Sequence, residues 1–231
     1  MTKRSSKSIL LALLILSTSL SQASEIRYGI AADRAAAKML KLSIPYTFGV
    51  HQGWTNVIHG VIMTDESDQV LKATFQVPIR SMSTGNSERD CHMRESLGID
   101  YTNSQFPAQH VCTKDHLLPT SGPNSIVYPD VFVEFLNMTL PKDPFTLGLP
   151  QLTDVNVQMK IHGVSKTIFL NKVMVTKVAH PNGSSGFNIL TKMTLSLKDF
   201  GVQIKALKLG PVSVTVKDTV TVDIDIDVVK D

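Results

Sequence analysis

The chain has 231 residues, 42% of them hydrophobic, with 23 basic against 20 acidic side chains. That length supports one domain with a substantial core, and no clustered positive face points to nucleic acid. It shows no internal repeat, no low-complexity tract and only one long apolar run, which argues against a repeat array or several spanning helices.

That run lies at the N-terminus. Lys3, Arg4 and Lys7 precede the apolar stretch Ile9–Leu16, and Ser21-Gln22-Ala23 places small residues at the two positions that a signal peptidase reads. The pattern predicts a signal peptide over 1–23 and a single domain over 24–231, periplasmic or secreted. The apolar run is short for a spanning helix, so no stable membrane anchor is expected after cleavage; a retained anchor is the alternative. No cysteine stands at the cleavage site, which argues against a lipoprotein. Cleavage would take three basic residues and no acidic one, leaving 20 of each sign.

The rest reads as β. Trp54 and the glycines Gly49, Gly53 and Gly60 fall in a first hairpin region, where a bend in a sheet wall accounts for the glycines. Asp65–Asp68 marks a turn, and Ala73–Val77 alternates apolar and polar as a half-buried strand should. Asn86–Leu97 breaks the pattern with helix-compatible residues and a cap at Asn86 or Ser87. On that helix Arg89 and Met93 share a face, as do Asp90 and Arg94, the latter at the spacing of a surface ion pair. Cys91 would lie on the helix and Cys112 in the strand that follows. Three states are open for them: a disulfide, favoured by an even count in an exported chain, unpaired buried thiols, or a metal site with His92, His110 and His116. No Cys-x-x-Cys or His-x-x-x-His pair supports the metal, and none is assigned.

Leu136–Thr153 holds Pro141, Pro144 and Pro150, which argue against a regular helix or central strand. Its leucines and Phe145 make it too apolar for a freely solvated loop; it either packs outside the domain or covers an opening as a lid. Pro181–Ser184 carries the Asn-Gly dipeptide of a tight hairpin. Val212, Val214 and Val216 alternate, and so does Val220–Val228. The period of two puts Asp223, Asp225 and Asp227 on one face. A solvated outer face explains them better than a calcium site, because ligands along one flat strand do not wrap a cation. Short strands separated by turns predict an all-β antiparallel sandwich or barrel, between which periodicity does not choose.

Ser81-x-x-Thr84-Gly85-Asn86-x-x-Arg89-Asp90-x-His92-Met93-Arg94, followed by Phe106-Pro107, resembles the YceI-like family. Lys160–Lys166 is similar to that family's His-Gly strand start, Asp199-Phe200-Gly201-Val202 to its late turn, and Val220–Val228 to its closing strand. The likeness runs from about Leu40 to the C-terminus and implies an exported, eight-stranded lipocalin-like barrel with a short helix between strands. It also implies a polyisoprenoid or similar amphiphilic lipid as partner, with no cofactor. On this reading Arg89, His92 and Arg94 sit at the barrel mouth and meet an anionic head group, guanidinium offering two parallel donors. A surface ion pair, or an Arg89–Asp90 pairing to barrel backbone, is the bland alternative. Phe75, Val77, Met82, Met93, Ile161, Leu170, Phe200, Val222 and Ile224 line or pack the interior.

No nucleophile elbow, His-Glu-x-x-His or phosphate-cradling glycine loop occurs. The expected function is therefore a non-enzymatic carrier or sequestering protein. A ligand-free structural or protein-interaction barrel is the alternative, and a homodimer is compatible with either.

Overall fold

The structure is a computed structural model that describes residues 25–31, 39–66, 69–138, 147–180, 183–205, 207–209 and 212–231. The N-terminal 24 residues, and with them the expected signal peptide, lie outside the described residues.

Among the described residues, twelve strands follow in chain order: β1 Ile26–Ile30, β2 Leu40–Tyr46, β3 Gly49–Thr55, β4 His59–Thr64, β5 Val70–Pro78, β6 Asp130–Met138, β7 Pro150–Ile161, β8 Val164–Ala179, β9 Ser185–Ser196, β10 Leu207–Leu209, β11 Val212–Val214 and β12 Thr219–Lys230. The α-helix α1 Ser87–Gly98 is inserted between β5 and β6.

The ring closes through two composite strands. β12 pairs with β1 near its C-terminal end (Ile30 opposite Val228) and with β2 near its start (Leu42 opposite Val222). β1 pairs with β4 and β2 with β3, so β1/β2 and β3/β4 each act as one wall strand. The order β1/β2, β3/β4, β5, β6, β7, β8, β9, β12 then returns to its start, giving a closed antiparallel barrel of eight wall strands. Closure removes the sheet edges that an open sandwich would leave unpaired. β10 and β11 form a separate two-stranded hairpin, and Thr47 N–H donates to Thr215 O at 3.0 Å just after it.

Alternation sets the two faces. In β12, Val220, Val222, Ile226 and Val228 are buried, while Asp223 pairs with Lys192 at 3.1 Å and Asn188 donates to both Asp225 and Asp227. The three aspartates thus sit on the outer face against β9, as the period of two requires.

The two flanks of the proline-bearing stretch are more regular than their sequence implies. β6 runs to Met138 and β7 opens on Pro150, a first-residue position where a missing N–H costs no ladder bond. Leu136, Leu147, Leu149 and Leu152 are exposed. Thr139–Thr146, where a lid would lie, falls outside the described residues, as do Ser67, Asp68, Pro181 and Asn182 of the expected turns.

The two ends of the barrel are filled differently. At the end where β1 begins, Tyr28 packs on Phe187 with ring centroids 4.9 Å apart, among buried Ile62, Ala73, Val173, Val175 and Val228. At the other end β5 stops, α1 follows, and β7 turns into β8. The β8–β9 ladder reaches only from Ala179 to Met174, and towards the α1 end the 3-10 turn Leu197–Phe200 lies against β8.

Candidate functional site

The Ser81–Arg94 motif is first of all a local clamp. Asn86 caps α1 by accepting from the Arg89 N–H at 2.9 Å. Asp90, only 7% exposed, accepts from the Thr84 N–H at 2.6 Å, the Thr84 hydroxyl at 2.7 Å and the Ser83 hydroxyl at 3.0 Å. Ser81 donates to Pro78 O at 2.7 Å and shares a 2.8 Å hydrogen bond with Thr55. These contacts satisfy a buried carboxylate without a counter-ion and fix α1 across the barrel end. The ion pair expected between Asp90 and Arg94 is not the arrangement found. Asp90 spends its oxygens on Ser83 and Thr84, and Arg94 donates to Arg80 O at 3.2 Å and Met82 O at 3.3 Å.

Behind that clamp lies a cavity of about 520 Å³, within the range of about 300–1,000 Å³ usual for small-molecule sites. Its walls are aliphatic and aromatic: Leu40, Leu42, Phe75, Val77, Met82, Met93, Val133, Phe135, Met159, Ile161, Leu170, Ile189, Met193, Val222 and Ile224 among others. The solid layer around Tyr28 and Phe187 lies outside this lining, so the cavity is a pocket of the α1 half of the barrel and not a pore.

Charged groups and histidines gather at the α1 end. Arg89, Glu88, His92 and Glu95 come from α1, His51 from β3, and His110 from the segment after α1. His51 stacks on Tyr46 at 4.0 Å, and the Arg89 Nη1 lies 3.1 Å from its Nδ1. Arginine only donates, so that nitrogen must accept and the neutral ring carries its proton on Nε2. Burial, then the Arg89 charge, holds the His51 pKa below its ordinary 6.5. The remaining donors of the Arg89 fork are left for other acceptors. His92 and His110 stack with centroids 4.0 Å apart. Burial first, then His110, lowers the His92 pKa, while Glu95 and Glu88 oppose the shift. Glu95 is fully buried, accepts from the Val111 N–H at 3.0 Å and hydrogen-bonds His110 Nδ1.

Of the residues singled out from sequence, Arg89, His92, Phe75, Val77, Met82, Met93, Ile161, Leu170, Val222 and Ile224 line this cavity. Arg94 lies outside the lining and braces the turn before α1. Phe200 is 2% exposed, packed in the core beside the β8 gap rather than in the cavity. Cys91 and Cys112 form a disulfide with Cα atoms 6.1 Å apart. His51, Glu95 and His110 at the polar end were not assigned to a head-group site by sequence reasoning. His51 lies in a strand far from the motif, and only the spacing of three between His92 and Glu95 signalled a shared helical face.

The fold has relatives among solved structures. A polyisoprenoid binding domain from Saccharophagus degradans, implicated in plant cell wall breakdown, superposes with a TM-score of 0.56 at 15% identity, covering 88% of this chain and 98% of that one. The Campylobacter jejuni YceI protein gives a TM-score of 0.52 at 16% identity, with 78% and 85% covered. At such identities these likenesses concern the fold. No curated protein sequence matches the chain. The YceI-like domain model matches residues 31–228, most of the sequence and the whole ring from β2 to β9, and the chain belongs to the family of YceI-like domains.

Proposed function

We propose that the protein is a carrier or sequestering protein that holds the tail of a polyisoprenoid or similar long-chain amphiphile inside its barrel. The observation that carries this reading is the apolar cavity of about 520 Å³ with its charged and histidine groups gathered at one end. Each methylene taken from water into such a wall contributes about 0.8 kcal/mol. The methionines Met82, Met93, Met159 and Met193 on the lining adapt to irregular chains. Arg89 and His92 receive the head group, and Arg94 holds the turn that places them. The polyisoprenoid named for the Saccharophagus degradans relative supports the ligand class. The protein works in the periplasm or outside the cell, after loss of residues 1–23, and binds rather than transforms its ligand.

The test has two arms. Organic extracts of the protein purified from its natural host, read by mass spectrometry, should contain a long-chain lipid in near-stoichiometric amount. Arg89→Ala should then weaken an anionic polyisoprenoid by about 1.5–3 kcal/mol, the worth of a charge-assisted hydrogen bond, and leave the neutral alcohol almost untouched. Arg94→Ala should lower the melting temperature without changing that preference. If the parent protein binds neither lipid, the carrier reading fails and a protein-interaction barrel replaces it.

A further inference from the structure

His92, Glu95 and His110 bring one ligand atom each to within 4.8 Å of one another. We propose that they form a divalent transition-metal site, of the zinc class, at the polar end of the cavity.

The construction is specific. His92 and Glu95 are three residues apart on α1 and so share a face. His110 belongs to the segment that follows, and the Cys91–Cys112 disulfide ties the two together. One cysteine adjoins His92 and the other is two residues past His110, so the staple holds both nitrogen ligands in place. Glu95 is a fully buried carboxylate, and a buried charge demands partners. The Val111 N–H on Oε2 and the His110 ring on Oε1 supply part of that demand; a dication supplies the rest.

Two imidazoles and one carboxylate suit zinc, copper or nickel, whereas calcium and magnesium prefer oxygen throughout. Ligand bonds of about 2.1 Å in a tetrahedron place donors about 3.4 Å apart, so the widest separation has to close by up to about 1.4 Å and the His110 Nδ1–Glu95 Oε1 hydrogen bond has to open. The two rings lie 4.0 Å apart at 19° and must turn about their Cβ–Cγ bonds to converge. Three protein ligands leave a fourth position, and because all three residues line the cavity, that position faces it beside Arg89. The site stands on these contacts alone and does not depend on what fills the apolar part; with the metal bound, His92 would act on a head group through the ion and Arg89 would meet it directly.

The experiment uses the full mature chain, treated with EDTA, desalted, and titrated with Zn²⁺ alone in a calorimeter, with metal content read after gel filtration. The expected result is one equivalent retained and a melting temperature that rises with Zn²⁺ but not with Ca²⁺. His92→Ala and His110→Ala should each weaken Zn²⁺ by more than the roughly 10–100-fold that the loss of an outer partner costs. His116→Ala, in the same region, should retain the full equivalent. Glu95→Gln keeps an acceptor for Val111 and should lose the metal while staying folded. If that variant does not fold, the histidine variants decide. Retention of one equivalent by the His92→Ala, His110→Ala double variant, or no binding by the parent, overturns the site. Lipid extraction with EDTA present reads the carrier function separately.

Discussion

One missing methyl group sets the turn from β7 to β8. His162 and Gly163 both have positive φ, 49° and 77°, the geometry of the two-residue hairpin turn that follows the strand twist. A Cβ on Gly163 would stand 2.8 Å from Tyr128 Cε1. Gly163→Ala should therefore destabilise by about 1–3 kcal/mol, the cost of a left-handed non-glycine residue, read from urea unfolding. A change of a few tenths would mean that Tyr128 moves aside and the strain is absent. Residues of this kind were legible in part. The alternation of Val220–Val228 placed Val222, which is 4% exposed, and its neighbour Asp223 on opposite faces. Asp90 and Arg94 were misread because the helical period records only the spacing of two charges. It does not show that hydroxyls and carbonyls from the preceding turn compete for them.

At the level of elements, α1 and the long segment Ile99–Pro129 form a cap whose order comes from a few tertiary ties. Val127 and Tyr128 donate to Gly98 O, Lys205 donates to Ala108 O at 2.7 Å, and the disulfide spans a separation of 21 residues. Non-reducing peptide mapping should link Cys91 to Cys112. Replacing both with serine should cost about 3 kcal/mol, the loop-closure contribution expected for that span. Two freely alkylatable thiols in the native protein would reject the bridge. The helix was legible because its cap and composition are local. The cap segment was not, since its hydrogen bonds go to side chains and to distant backbone, which leave no periodic trace in sequence.

At the scale of the whole molecule, stability is expected to depend on pH through partly buried histidines. His162 donates from Nδ1 to Leu97 O, stacks on Tyr101 at 4.2 Å and lies near Tyr128 and Asp100. Burial is the main cause that lowers its pKa from 6.5, with His51 and His92 shifted in the same direction. In the unfolded chain these rings take up protons near pH 6.5, while the folded state resists. The unfolded state then binds more protons, so stability holds above about pH 6.5 and falls as pH drops below it. Urea midpoints measured from about pH 7.5 downward should show this decline, and His162→Gln should flatten it; an unchanged slope would remove His162 from the account. Fold class was readable at this scale from strands and turns alone. Closure was not, because a sandwich and a barrel share the same alternation; only the family motifs chose between them. Whether the interior was filled was illegible too, since Ile62 in the solid layer and Ile189 on the cavity wall follow the same pattern.

The composite first strand has a kinetic meaning. The ring is sealed by β12, the most C-terminal strand among the described residues, which meets β1, β2 and β9 together. The pairings with β1 and β2 are the ones of greatest sequence separation among the described strands, and such contacts slow folding. A chain that appears N-terminus first carries two unpaired borders, one on β1/β2 and one on β9, until β12 emerges. Until then the pocket has no closed wall, so a cavity of this shape forms only once β12 has joined the ring.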